Sequence, residues 1–334
     1  MCGSSGAVIY EGLEDVLYGA PGKWSIRRCS NPECGLLWLD PQPLAEDIGK
    51  AYDRYYTHEG ATARATVLRR IYGRVRASYL RSEHGYAITG SDTGWRWLAP
   101  IANLHPGSAD AFAASVMFLR SPRPGASLLD IGCGGGELMV RMRDSGWKVA
   151  GIETDPIAVE RARARGLDVH QNDLAGAALG DSTFDAITMA HVIEHVHDPR
   201  ALLIECHRLL KKKATLVILT PNSAGWGHRH FGPDWRGLEP PRHIHIFNSH
   251  NMRRLLLSAG LVPKRIATLA INASAVWPAS AAIRRARSSA AGDRHAITVK
   301  TTRAGIARQA AERLLRNVNP AAGEDLLAIA TRLE

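Results

Sequence analysis

The chain reads as an α/β protein built on a doubly wound, mostly parallel sheet, and three observations carry that reading. An apolar run, Ser127-Leu128-Leu129-Asp130-Ile131, ends in an acid and is followed at once by the cluster Gly132-Cys133-Gly134-Gly135-Gly136 and the helical pattern Glu137 to Met142. Strand, tight glycine turn and helix N-terminus in that order present backbone N–H groups to a ligand, and a Cβ there would block close approach. A second strand, Lys148 to Ile152, ends in another acid, Glu153, which lies 23 residues after Asp130 (153 − 130). Strands and helical runs then alternate: helix Ile157 to Arg165, strand Leu167 to His170, strand Phe184 to Met189, helix Leu202 to Leu210, strand Thr215 to Thr220. That alternation predicts βα units and a parallel sheet.

Composition sets the frame. The chain has 334 residues, 45% hydrophobic and 22% charged, which is ordinary for a globular protein with a sizeable core. No run approaches the ~20 apolar residues of a membrane span. The N-terminus, with Glu11, Glu14 and Asp15, does not read as a signal peptide. Five scattered cysteines do not make a disulfide framework, so the expected compartment is the cytoplasm. The net charge of +10 is unevenly spread: residues 281 to 316 hold nine Arg or Lys against two acids, and residues 61 to 120 hold eight Arg against three. Such stretches suit a solvated face, a peripheral membrane contact or an acidic partner, and the sequence leaves those open.

The glycine spacing separates two cofactor classes. A dinucleotide fingerprint, G-x-G-x-x-G, fails because Glu137 stands where the third glycine belongs. The pattern from Asp130 through Gly132, Gly134 and Gly136 is D-x-G-x-G-x-G, which resembles the first motif of class I S-adenosylmethionine-dependent methyltransferases. An acid at the strand end suits the cationic end of S-adenosylmethionine and would repel a pyrophosphate. The resemblance is strongest over residues 125 to 262, and it implies a seven-stranded Rossmann-like sheet with S-adenosylmethionine as cofactor. It places Glu153 on the ribose hydroxyls. Asp173 falls on the adenine amino group, with the backbone of Leu174 beside the ring.

His191-Val192-Ile193-Glu194-His195 matches, as a bare pattern, an inverted zinc-protease signature, which requires all five residues on one helix. Here the run follows a strand, and the helix is expected only from Asp198-Pro199-Arg200. It is similar instead to the element after the fourth strand of methyltransferases, near the sulfonium, which puts His191 beside the cofactor. In the polyprenyl-benzoate O-methyltransferases this place reads E-x-x-E-H and can hold a divalent cation. The chain keeps Glu194 and His195 but carries His191 for the first acid. Lys211-Lys212-Lys213-Ala214 replaces the Pro-Gly-Gly loop usual in such enzymes.

Between Asn222 and Asn248, Trp226, His228, His230, Phe231, Trp235, Arg236, Arg242, His243 and His245 crowd a segment without apolar periodicity. Such a segment reads as a binding loop, or as one packing its own histidines over the cofactor. It resembles the W-x-G-x-x-x-P-R-H-x-x-x-F stretch of the same methyltransferases. His243 is the first candidate for general base and His195 the second, with Arg242 positioned to hold an acidic group of the acceptor. Asn248 caps a helix from Ser249 to Ala259, Leu261 to Leu269 is a strand, and Gly323 to Ala330 is the last, antiparallel strand. Basic helices near Ala279 to Ser288 and Ala304 to Asn317 form an insertion over about 271 to 320.

The first 43 residues read as a zinc-ribbon-like module. Cys2-Gly3 and Cys34-Gly35 look like knuckle ends, and Cys29 and Cys34 have ribbon spacing, but a fourth ligand is missing. Either Cys2, Cys29 and Cys34 hold zinc with a ligand upstream, or the hairpin is a metal-free remnant. Residues 44 to 120 read as helical, with helices at Leu44 to Tyr52, Thr62 to Ser82 and Ala109 to Leu119, and residues 121 to 334 as the cofactor domain. The expected function is transfer of a methyl group to a small molecule or glycolipid precursor, at oxygen. The competing class is a nucleic-acid methyltransferase drawn by the basic stretches, against which no N/D-P-P-Y motif or RNA-binding module is present.

Overall fold

In the computed structural model, residues 3–44, 47–52, 67–87, 99–102, 108–288 and 302–333 are described. Three strands open the chain, β1 (Gly6–Leu13), β2 (Trp24–Cys29) and β3 (Leu37–Asp40), followed by helices α1 (Val67–His84) and α2 (Ser108–Ala114). The alternating region contains β4 (Ser127–Ile131), α3 (Glu137–Asp144), β5 (Lys148–Glu153), α4 (Pro156–Ala164), β6 (Asp168–Gln171) and β7 (Phe184–Ala190). It continues through α5 (Pro199–Leu209), β8 (Leu210–Pro221), α6 (Trp226–Phe231), β9 (His245–Ile246), α7 (Ser249–Ser258) and β10 (Leu261–Leu269). Helices α8 (Ala273–Ser288) and α9 (Arg303–Leu315) precede the last strand, β11 (Asp325–Arg332).

The large sheet has seven strands in the order β10-β11-β8-β7-β4-β5-β6. The chain winds outward from β4 to β5 and β6, then returns to the other side of β4 with β7, so β4 and β7 flank a topological switch point. β4 runs parallel to β5 (Asp130 opposite Gly151) and to β7 (Asp130 opposite Thr188), and β5 runs parallel to β6. β10 and β11 pair antiparallel, with Leu269 opposite Asp325. Central strands are mostly apolar, as strands covered on both faces must be: Leu128, Leu129, Ile187 and Met189 are fully buried, and Asp130 and Thr188 are buried polar exceptions.

Cα packing divides the chain into two compact units. One comprises residues 56–189 and 208–217. Its core includes Met139, Val159, Ala162, Leu167 and Val169, which seat α3 and α4 on the sheet. Asp155 caps α4 by accepting from the N–H of Ile157, with Pro156 in the first turn. The expected loop at Lys211–Lys213 is not a loop. Leu210 continues directly from α5 into β8, Lys213 takes the positive φ of 62° that a glycine would supply, and Lys211 Nζ donates to Asp185 at 2.7 Å.

The other unit comprises residues 1–55, 190–207 and 218–333. Its four-stranded sheet runs β1-β2-β3-β9, so the N-terminal strands close on a two-residue strand more than 200 residues later, Leu37 opposite Ile246 and Trp38 opposite His245. Ile26, Leu37, Leu39, Phe231, Trp235, Leu238, Ile246 and Trp277 share one apolar core. Burying side chains of this size stabilises by about 1.5–3 kcal/mol each. The Asn222–Asn248 segment is therefore interior rather than a surface loop, with α6 inside it. Its polarity is accommodated because His228, Arg236, Arg242, His243 and His245 each find a partner within the fold, while Arg229 and His230 stay exposed. α7 begins with a capping box between Asn248 and Asn251, and Asn251 Nδ2 also donates to Cys34 O at 3.0 Å, tying the cysteine turn to the helix. Helix α8 starts at Ala273, six residues before the basic run. Of the N-terminal helices expected, the Leu44 to Tyr52 stretch contains a short 3-10 turn, Ile48–Tyr52, and residues 62–66 of the next lie outside the described residues.

Candidate functional site

The glycine loop sits at the end of β4 and is held by backbone bonds to β5. Gly132 and Cys133 N–H both donate to Ile152 O, at 2.8 and 3.1 Å. Gly132, Gly134 and Gly136 have φ of 67°, 53° and 82°, left-handed values that an L side chain rarely adopts. At Gly136 a Cβ would also meet Leu167 Cδ1 at 2.2 Å, whereas a Cβ at Gly134 would meet nothing within 4 Å. One glycine thus serves packing, and the other faces open space.

Two acids frame this loop. Glu153 accepts the Gly134 N–H at 2.8 Å through Oε2, and the N–H groups of Thr154 and Asp155 through Oε1. Asp130 is 4% exposed and accepts the Thr188 hydroxyl at 2.8 Å. Burial pushes its pKa up to about 7; the Thr188 hydrogen bond opposes the shift and the Glu153 charge adds to it. A carboxyl in that condition gains from any cation brought beside it. Asp173 is exposed after β6 and caps the following turn by accepting from Gly176 N–H at 2.8 Å, with Leu174 buried next to it.

The second unit carries the histidines. His191, at the end of β7, has a φ of 55°, strained for a non-glycine residue and placed by the bond from its N–H to Leu219 O. Its Nδ1 lies 3.2 Å from Glu194 Oε1, and its Nε2 lies 3.4 Å from Asn272 Nδ2 and 3.9 Å from Asp325 Oδ1. Asn272 donates to Asp325 in turn. Partial desolvation works against a charged His191, whose side chain stays partly open to solvent, yet the hydrogen bond and charge of Glu194 with the Asp325 charge raise its pKa overall. Glu194 is fully buried and accepts the Thr220 hydroxyl at 2.9 Å. Burial would protonate it, but the three surrounding histidines hold it down at about 2. It is a buried carboxylate.

His195 Nδ1 lies 3.0 Å from Arg242 O and His243 Nδ1 lies 2.8 Å from Gly237 O. A carbonyl only accepts, so each ring carries its proton on Nδ1 and keeps a lone pair on Nε2. The rings meet edge to face with centroids 4.8 Å apart. Burial lowers both pKa values, that of His243 well below the usual range. The donor atoms of Glu194, His195 and His243 lie within 4.8 Å of one another, a set able to hold a metal ion.

Arg242 requires a correction. Expected to hold an acidic group of the acceptor, it is completely buried and consumed by the fold. Its guanidinium pairs with Asp15 at 2.8 Å and Glu239 at 2.9 Å, donates to Ala51 O, and stacks 4.7 Å from the Tyr18 ring. Asp15 also accepts from the N–H groups of Leu17, Tyr18 and Ala20. Cys29 and Cys34 are buried free thiols, and Cys2 lies outside the described residues. Asn272 and Asp325 were not singled out from the sequence; no local motif marks them, because β11 and the start of α8 bring them together.

An acid-framed glycine loop at the switch point of this strand order is the arrangement expected of a class I S-adenosylmethionine-dependent methyltransferase domain. Residues 108–264 match the family model described as a methyltransferase domain. Among curated proteins the chain is similar to the ubiquinone biosynthesis O-methyltransferase of Xanthomonas campestris, 37% identical over 132 residues that cover 37% of this chain and 52% of that protein. It is also similar to the protein of the same name from Xylella fastidiosa, 32% identical over 158 residues, covering 45% and 63%. The chain thus spans about half to two thirds of the length of these relatives. Among solved structures, a geranyl diphosphate methyltransferase in complex with S-adenosylmethionine overlaps with a TM-score of 0.47 at 20% identity, covering 76% of this chain and 95% of that one. A methyltransferase from Mesorhizobium loti overlaps with a TM-score of 0.46 at 18% identity, covering 66% and 97%. Among the described residues no helix is long and apolar enough to cross a membrane.

Proposed function

We propose that the protein transfers the methyl group of S-adenosylmethionine to an oxygen of a small molecule. The observation that carries this is the pairing of buried Asp130 with Glu153 around the open side of Gly134. In this reading Asp130 and the glycine-loop backbone hold the amino-acid end of the cofactor, the remaining acceptor capacity of Glu153 takes the ribose hydroxyls, and Asp173 with the Leu174 N–H takes the adenine. The O-methyltransferase relatives support oxygen as the acceptor atom and a small molecule over nucleic acid.

Methyl transfer is an in-line displacement, so the protein aligns the acceptor and removes its proton. His191 replaces His243 and His195 as the proposed base. Its ring is 43% exposed, Glu194 stands behind Nδ1, and its raised pKa makes it the most basic of the three. Glu194, His195 and His243 fit a divalent cation, because ligating imidazoles characteristically give their other N–H to a carbonyl, as both rings do here through Nδ1; the Nε2 of His243 also lies 3.5 Å from Glu239 Oε2. Such an ion would supply Lewis-acid stabilisation of an oxyanion. Zinc at Cys2, Cys29 and Cys34 is a separate proposal, favoured by the proximity of the two buried thiols to one turn. Metal quantification on the purified protein and on the Cys29→Ser and His195→Ala variants decides both sites. Calorimetry with S-adenosylmethionine, followed by screening extracts with radiolabelled cofactor, tests the function; no heat on titration would end it. A cytoplasmic location and a small-molecule partner belong to the same proposal.

A further inference from the structure

Helices α8 and α9 hold a cavity of about 610 Å³ that the methyl-transfer reading leaves unused, a size within the usual range for small-ligand sites. The helices meet closely because Pro278 has no N–H to offer the Ser274 carbonyl one turn back. Gly305 presses against that oxygen, where a Cβ would come within 2.4 Å. The inner wall is apolar, made by Phe231, Trp277, Pro278 and Ala281. Trp277 is 5% exposed and already packed against Trp226 and Phe231, with centroids at 4.7 and 5.1 Å.

The mouth is cationic. Arg284, Arg285 and Arg308 line it, and no acidic residue does. Arg284 is matched by Asp234 at 3.2 Å, whereas Arg285 and Arg308 have no carboxylate partner among the described residues. The Arg308 guanidinium lies over the Trp277 ring, 5.2 Å from its centroid. Thr302, the N-cap of α9 whose hydroxyl accepts the Gly305 N–H, forms the same rim with Ala304 and Gly305 of the first turn, adding the positive end of a 13-residue helix.

We propose that this cavity binds a phosphate ester carrying an apolar chain, the phosphate between Arg285, Arg308 and the α9 N-terminus and the chain along Phe231, Trp277 and Ala281. Two unmatched guanidiniums beside a helix N-terminus favour an oxyanion with several acceptors. A nucleobase is disfavoured because Phe231, Pro278 and Ala281 offer its edges no hydrogen-bonding side chain and the Trp277 N–H is directed to Glu312, leaving only His230 and Ser288 as neutral polar side chains with Thr302 at the rim; an anion alone would leave the apolar wall uncovered.

The test uses the full chain and decyl phosphate below its micelle concentration, with inorganic phosphate and decyl glucoside as comparators, read by tryptophan fluorescence and calorimetry. Decyl phosphate is expected to bind at least tenfold more tightly than either comparator. The Arg285→Glu/Arg308→Glu double variant, and independently Ala304→Trp at the exposed rim, are expected to weaken it at least tenfold. Both variants should keep the wild-type unfolding temperature and S-adenosylmethionine affinity, measured on the same samples, so a failed cofactor reading is recognised separately. Equal binding of decyl glucoside, undiminished binding by the double variant, or binding only to phosphatidylglycerol vesicles would each overturn the proposal.

Discussion

The glycine-loop unit and the histidine unit are assembled in opposite ways. Around Asp130 the proposed site groups, apart from Asp173 and Leu174 at the adenine end, come from one continuous stretch, residues 130–153, whose loop is held by backbone bonds between adjacent strands. Around Glu194 they come from residues 191–195, 220, 237–243, 272 and 325, held by side-chain bonds across long sequence separations. A local site tolerates change outside it and fails outright when its acid or glycine is lost. A distributed site spreads its vulnerability into the fold, so its substitutions mix chemistry with stability.

Breaking the local site gives the largest effect: Asp130→Ala is expected to reduce S-adenosylmethionine affinity by more than a hundredfold in calorimetry, with little change in thermal unfolding. The near-isosteric Glu194→Gln should keep cofactor affinity while reducing turnover by about a hundredfold, since it removes the charge behind His191. If cofactor binding fell equally, the two regions would not be separable as described. Arg242→Ala should act on the fold, destabilising by about 3 kcal/mol in denaturant unfolding because buried Asp15 loses its cation and Glu239 keeps only the Arg236 guanidinium.

Two pH effects are smaller and opposite in origin. The Asp130 pKa is raised to about 7, so the carboxyl is neutral below that pH and offers a cation less. Cofactor affinity is expected to strengthen as pH rises from 6 to 8, by up to about tenfold, and Asp130→Asn should flatten the profile. Raised His191 places the acid limb of kcat/KM above the ordinary imidazole range, and Glu194→Gln should move that limb down.

Legibility follows the same division. β4, the glycine turn, α3 and β5 are readable because strand period, glycine chemistry and helix start are local signals. The antiparallel last strand is readable too, shifted by two residues to Asp325–Arg332. The destination of Arg242 is not, because its partner Asp15 is 227 residues away and only the tertiary fold joins them. β9 is two residues long, too short for any period, yet it closes the N-terminal sheet. Lys211–Lys213 misled for another reason: charge and a positive-φ lysine disguise a strand start.

Closure of β3 on β9 bears on where this molecule can be cut. The stretch that matches the methyltransferase family, 108–264, is a unit of ancestry and not of folding. Excised alone, it would strip β9 of its hydrogen-bonding neighbour, take Asp15 and the Ala51 carbonyl away from Arg242, and lay bare the tryptophan-lined flank that Leu37 and Leu39 now cover. Such a fragment should drop out of solution, while the intact chain shields that flank with its own beginning.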